Sequence, residues 1–398
     1  MKFPGWIQLK LFCKRLSFLS LERTSKVFLF LGLLVMFQKV RRGEDLTLSE
    51  SKDLGFRYNP QLHACFDATG KQGYNPNFQG ECGNLQGALL AKVIWQGKRF
   101  AGANLNGVDL TGANLKGSNL IGVDLTNANL VDTNLEEVDL TGANLIGAKL
   151  LNVNFTRTNL QRADLRQSNI RKSDLRNARL DNARLTDAKL FEVNLSGLDL
   201  RALNFRGSEF AWSNLSKARL SGLDLQGSWH DRTDFAEAAL EEVNLSQANL
   251  SYANFTGALL QDAKLQRAEM TNAKLLRAQM NTADLSESNL IEADLTGAIL
   301  KSANLHGANL MNAKLKDANL EGADLSNTTL YGADFQNANL CNTNLSGAKL
   351  GEGKIIALAD LDMSFRPTLM NKAKYDETTR LPFDREEAKR RGMVWAKK

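Results

Sequence analysis

Histidine is nearly missing from this chain: His63, His230 and His306 are its whole supply. That leaves little material for multi-histidine metal centres or for imidazole acid–base catalysis. None of the four cysteines, Cys13, Cys65, Cys82 and Cys341, forms a CxxC pair, so zinc-ribbon and thioredoxin-type chemistry lack their ligands. No phosphate-binding loop, dinucleotide fingerprint, nucleophile elbow or HExxH helix is present. No cofactor and no metal are therefore expected. Proline is sparse and segregated: Pro4, Pro60, Pro76, Pro367 and Pro382 all lie outside Leu85 to Ile355. A long stretch without proline is what continuously paired backbone requires, since proline has no N–H to give to a ladder.

Long apolar runs are absent too. The longest near the N-terminus, Val27 to Phe37 (VFLFLGLLVMF), has eleven residues between basic flanks at Arg23 and Lys26 and at Lys39, Arg41 and Arg42. A bilayer core needs about 20 apolar residues, whereas a signal-peptide core needs roughly 7 to 15. Residues 1–43 are accordingly expected to be a signal-like or membrane-anchor segment. No A-x-A site follows Phe37, which leaves open an uncleaved anchor held to an anionic membrane surface. The alternative is an amphipathic cap helix of a cytoplasmic protein. The net charge of +6 suggests a polyanion partner until it is located: residues 1–60 hold eleven Lys or Arg against five Asp or Glu, so the remainder is close to neutral. Export would permit a disulfide between Cys65 and Cys82, which flank a Gly- and Asn-rich loop. The other reading of that pair is two small unpaired core residues.

The residues that are abundant obey one period. Every fifth residue from Phe100 to Leu350 is Leu, Phe, Met or Ile, with one exception at His230. Two positions earlier the side chain is nearly always small or β-branched, as at Ala103, Val108, Ala113 and Ser118, and the position between is usually Asn or Asp. A period of five would carry these leucines round every face of an α-helix, and it does not alternate as a plain strand does. A chain that turns a corner every five residues puts the large and the small apolar residues inside, and stacked coils bury what one unit cannot. These A-[ND]-L-x-x units resemble the pentapeptide-repeat family over roughly two thirds of the chain. The resemblance implies an all-β right-handed quadrilateral β-helix with four units per twenty-residue coil. About thirteen coils at about 4.8 Å each would make a rod roughly 60 Å long. Residues 44–84 are read as a loop-rich N-terminal cap, 85–355 as the β-helix, and 356–398 as a C-terminal cap with a short helix from Asp384, its N-cap, to a stop at Gly392.

Departures from the period mark the candidate sites. GSWHDRTDF places His230 inside and Trp229 outside. In a twenty-residue coil Trp212, Arg232 and Tyr252 fall on one outward column, where ring, guanidinium and ring would stack as a docking spot for a protein partner. The bland alternative is that Arg232 merely covers two exposed rings and His230 is a core histidine with a local partner. A basic belt of Arg157, Arg162, Arg166, Arg171, Lys172, Arg176, Arg179 and Arg184 is read as a solvated face or a weak polyanion attractor, and it lacks the aromatic residues that would stack bases. Asp109, Asp124 and Asp139 alternate with Asn at the same repeat position, which assigns them to turns. The expected function is a non-enzymatic scaffold for an unknown protein partner, exported or at the cell envelope. Some members of the resembled family mimic DNA and bind type II topoisomerases, which implies an alternative gyrase-protecting role; the nearly neutral array argues against an acidic mimic and against nucleic-acid binding.

Overall fold

The computed structural model describes residues 81–351 and 367–396, together with the backbone of 57–59 and 64–66, all within the compact unit Gly55–Lys398. The expected signal or anchor segment, 1–43, lies outside the described residues.

Each five-residue unit is one corner. In the unit that begins at Phe100, the Ala103 amide donates to the Phe100 carbonyl at 2.9 Å, closing a tight turn whose third residue, Gly102, has φ of 64°. Positive φ recurs at that position along the array, taken by Gly at Gly107, Gly112 and Gly117, by Asn at Asn127 and Asn272, and by longer polar residues such as Glu137, Lys217 and Arg277. The straight part of the unit then pairs both ways: the Asn104 amide donates to Gly83 and the Leu105 amide to Asp124. From Asn84↔Asn104 to Thr329↔Lys349 every rung of the parallel ladder joins residues twenty apart. Four five-residue units therefore complete one coil of a parallel β-solenoid.

The side chains follow from this register. Both expected inner columns, Phe155, Leu175, Leu195, Leu215, Phe235 and Phe255, and Leu190, Phe210, His230, Leu250 and Met270, are buried. Asp109 accepts from the amide and hydroxyl of Thr111 at 3.1 and 2.6 Å, and Asp124 and Asp139 do the same for Thr126 and Thr141, so these carboxylates hold turns, as their alternation with Asn implies. Where Ser or Thr replaces the inward Ala, its hydroxyl donates to a carbonyl of the preceding coil, as Ser118 does to Trp95 and Thr133 to Leu110, or to one in its own turn, as Ser168 does to Leu165 and Thr328 to Leu325. That satisfies a polar group which the core would otherwise penalise.

Four features were not expected. The N-terminal cap contains an antiparallel pair, β1 (Arg57–Asn59) and β2 (Ala64–Phe66), in the register Tyr58↔Cys65. On one face three successive coils replace the closed turn with short parallel strands, β3 (Lys149–Leu151), β4 (Asn169–Arg171) and β5 (Lys189–Phe191). In two of these coils the amide freed by the missing turn, that of Val153 or Val193, donates instead to Ser173 or Ser213 Oγ. Two rungs are missing, Arg179 opposite Asp199 and Asn204 opposite Asp224, and the Leu180, Leu185 and Phe205 amides do not reach the next coil as their equivalents do. Leu198, Leu203 and Leu223 sit near these gaps in the inner slot that Ala, Ser, Thr or Val holds in most units.

The fourth feature is at the C-terminal end. The ladder does not stop at the expected limit of 355: it resumes with Leu369 on Asp334, Lys374 on Asn339 and Arg380 on Asn344. β6 (Lys374–Tyr375) then pairs in parallel with β7 (Val394–Trp395), again twenty residues on. Between them lies α1 (Arg385–Arg390), with Asp384 as N-cap accepting the Glu387 amide at 2.8 Å and Gly392 in the left-handed region just after it. The cap helix is thus an inset in a continuing coil. Met393 is buried beneath it, and Trp395 meets Tyr375 edge-on at 5.1 Å.

Candidate functional site

The candidate site is built on the face where β3, β4 and β5 give way to closed turns. In the next coil the Ser213 amide returns to the Phe210 carbonyl at 3.0 Å, and Thr233 to His230 at 3.0 Å. Residues from both sides of this changeover line a shallow groove of about 500 Å³: Arg171, Phe191 and Glu192 from the strand side, Ala211, Trp212, Trp229 and Asp231 from the turn side.

The expected stack is present. The Arg232 guanidinium lies 4.7 Å from the Trp212 ring centre and 4.4 Å from that of Tyr252. Trp229, at the ladder position between Glu209 and Asn249, is exposed beside them. Trp212, Trp229 and Tyr252 are 59%, 51% and 46% exposed, and no other large apolar residue between Ile94 and Leu369 among the described residues is comparably open to solvent. All three members of the stack have positive φ, 62° for Trp212, 55° for Arg232 and 58° for Tyr252. A non-glycine residue there costs roughly 1–2 kcal/mol, which the cation–π contacts, about 0.5–1 kcal/mol each at exposed sites, offset in part.

Behind this face His230 is fully buried. Its ring stacks on Phe210 at 4.9 Å and 12° and tilts against Phe235 at 5.2 Å, yet neither ring nitrogen has a hydrogen-bond partner. The local polar partner expected for a core histidine is absent; aromatic neighbours take its place. Burial pushes its pKa down to about 3, so the imidazole is neutral at physiological pH. The ring fills a core column and does not face the groove's lining.

The basic belt is mostly neutralised. Arg157 reaches Glu136 and Glu137, Arg166 and Arg184 share Asp164, Arg176 pairs with Asp174, Lys172 with Glu192, and Arg179 with Asp181. Burial pushes the Asp164 carboxyl upward, but hydrogen bonds from Arg166 and the two guanidinium charges hold it below its ordinary value. Among the belt residues Arg162 and Arg171 have no carboxylate at ion-pair distance; Arg171 lies instead over Phe191, 5.3 Å from its ring centre. Phe191 was missed by sequence reasoning. Its signal was a large apolar residue at an outward turn position, directly after an inward leucine.

Cys82 is fully buried and disulfide-bonded, and Cys341 is free, its thiol pushed up by partial burial and by the nearby carboxylates Asp376 and Glu321. The side chain of Cys65, the expected partner of Cys82, lies outside the described residues. Among the described residues no cluster of ligands could hold a metal ion, and no helix is long and apolar enough to cross a membrane.

Comparison with known proteins agrees with the ladder. No curated protein matches the chain. A solved structure of HetL, a pentapeptide repeat protein involved in heterocyst differentiation regulation in the cyanobacterium Nostoc sp. strain PCC 7120, is 29% identical over 66% of this chain and 91% of its own, with a TM-score of 0.28. Rfr23 of the cyanobacterium Cyanothece 51142 is 41% identical over 23% of this chain and 58% of its own, with a TM-score of 0.20. QnrB1, a plasmid-mediated fluoroquinolone resistance protein, is 20% identical over 50% of this chain and 88% of its own, with a TM-score of 0.36. The model of pentapeptide repeats matches residues 84–120, 118–157, 238–277, 278–317 and 318–352, and that of the pentapeptide repeat region matches 138–215. With these matches spanning more than half of its length and a twenty-residue parallel ladder running through them, the chain belongs to the pentapeptide repeat family.

Proposed function

We propose that this chain is a non-enzymatic interaction scaffold, a right-handed, four-sided β-helical rod that offers the face around Trp212 to a protein partner at the cell envelope. One observation carries the reading: Trp212, Trp229 and Tyr252 cluster midway along the array and are the most solvent-open large apolar side chains between Ile94 and Leu369 among the described residues. Trp, Tyr and Arg dominate interface hot spots. A rigid ladder also presents its side chains without the ordering cost that a loop would incur on binding.

The envelope location rests on two features. A buried disulfide at Cys82 suits an oxidising compartment, and Cys65 is its proposed partner. Residues 1–43 are the proposed export signal or anchor, their basic flanks facing anionic lipid.

A gyrase-protecting DNA mimic is the alternative. Mimicry needs a face of uncompensated carboxylates, whereas Glu136, Asp164 and Asp199 are each paired with Lys or Arg. Fractionation of the tagged protein, with a mass map of the peptides joined through Cys82, separates the two. Envelope association with Cys65 joined to Cys82 supports the scaffold. A cytoplasmic, reduced protein that relieves quinolone inhibition of gyrase overturns it.

A further inference from the structure

We propose that the step beside Trp212 is a docking notch for a protein segment carrying an apolar side chain next to a carboxylate. The inference rests on the docking-face reading and specifies its partner.

The shape comes from one small residue. Along the outward column Leu151, Arg171, Phe191, Ala211 and Asp231, successive coils place large or charged side chains everywhere except at Ala211. Ala211 is 5% exposed and forms a floor, with Phe191 on one side and Trp212 and Trp229 along the others. The notch falls at the changeover from the open strand at β5 to the closed turn at Phe210. The result is a side-chain-sized gap in an aromatic wall, suited to one Leu, Met or aromatic residue.

The charge comes from arithmetic on the groove's own ion pairs. Glu192 is met by Lys172 at 4.0 Å and Asp231 by Arg232 at 3.7 Å. Arg171 is the one charged lining residue with no opposite charge at ion-pair distance, and its guanidinium carbon lies 5.3 Å from the Phe191 ring centre. A purely apolar occupant would cover that cation without replacing its hydration. A carboxylate on the occupant would meet it with a charge-assisted, bidentate hydrogen-bond pair. A nucleic-acid strand fits less well, because the groove offers its row of phosphates a single unpaired guanidinium.

The test is selection from a phage-displayed random peptide library on the full chain, with counter-selection on a Trp212→Ala/Trp229→Ala variant. Enriched peptides should share an apolar residue adjacent to Asp or Glu. A synthetic peptide of that sequence should bind Arg171→Gln at least tenfold more weakly, and its Asn or Gln analogue should lose the same factor on the wild type with no further loss on Arg171→Gln. Arg171 is exposed, so this variant should fold; Ala211→Trp, which fills the notch, should abolish binding. Enriched peptides that need the tryptophans but carry no carboxylate, or that bind Arg171→Gln unchanged, overturn the inference and leave the docking face standing. An absence of enrichment over the counter-selected variant overturns both.

Discussion

His230 shows most directly how a single side chain sets a measurable property. Its folded pKa of about 3 lies below the ordinary value near 6.5, so between these values the unfolded chain binds a proton that the folded chain refuses. Stability contributed by this site is therefore intact above about pH 6.5 and is lost as pH falls, by about 1.4 kcal/mol per pH unit, or roughly 2 kcal/mol at pH 5. His230→Leu should remove that slope. It should also stabilise the protein at neutral pH, because two unsatisfied nitrogens leave the core. Thermal melts of both proteins from pH 7.5 to 4.5 check this, and parallel pH dependences would refute it. Trp212→Gly is the complementary surface experiment. It relieves the positive-φ strain and loses one cation–π contact, so the melting behaviour should correspond to a change under about 1 kcal/mol. A loss of several kcal/mol would make the aromatic stack structural and remove the reason to assign it to a partner. The sequence made the stack legible because a twenty-residue coil fixes which residues are neighbours. It did not make the solitude of the His230 nitrogens legible, since that depends on every side chain packed around the ring.

At the scale of elements, the ladder runs without a gap along most of the array and lacks two rungs near three leucines of the inner slot. The missing rungs near Leu198, Leu203 and Leu223 leave the Leu180, Leu185 and Phe205 amides without the cross-coil acceptors that their equivalents have. Hydrogen exchange should therefore be faster in peptides covering 179–185 and 203–207 than in 279–285, where Met280 and Leu285 donate to the following coil at 2.7 Å. Uniform protection along the array would show that the missing rungs have no dynamic consequence. The turn–strand changeover that shapes the groove was not readable in advance. Ser173 and Ser213 look like ordinary small inward residues, and only in the assembled ladder do they accept the amides of Val153 and Val193. The resumed coil at 367–380 was hidden for another reason: Thr368, Leu369 and Met370 fit the unit, but residues 352–366 lose the repeat pattern, and Asp334 pairs with Leu369, 35 residues on, where the array's rungs join residues twenty apart.

For the whole molecule, the two ends carry distinct chemistry. Thiol labelling of the native, non-reduced protein should find Cys82 blocked and Cys341 slow, with Cys82 released only by reductant. A freely labelled Cys82 would remove the main structural support for an oxidising compartment. At the other end Asp376 accepts from the Asn342 amide and from Thr378 and Thr379, and although burial pushes its carboxyl upward, these hydrogen bonds bring it to about 2. Its contribution is present above the ordinary value of 3.8 and is lost only as pH falls towards 2, so the C-terminal coil should outlast the His230 region on acidification. What this sequence determined by itself is the winding. A five-residue period of large and small apolar residues admits one way of burying both, and the stacking of residues twenty apart follows from it. What only the tertiary structure decided is where that winding departs from itself: which turns open, which rungs fail and which charges find partners. Those outcomes depend on volumes and distances summed across neighbouring coils, and a one-dimensional period does not encode them.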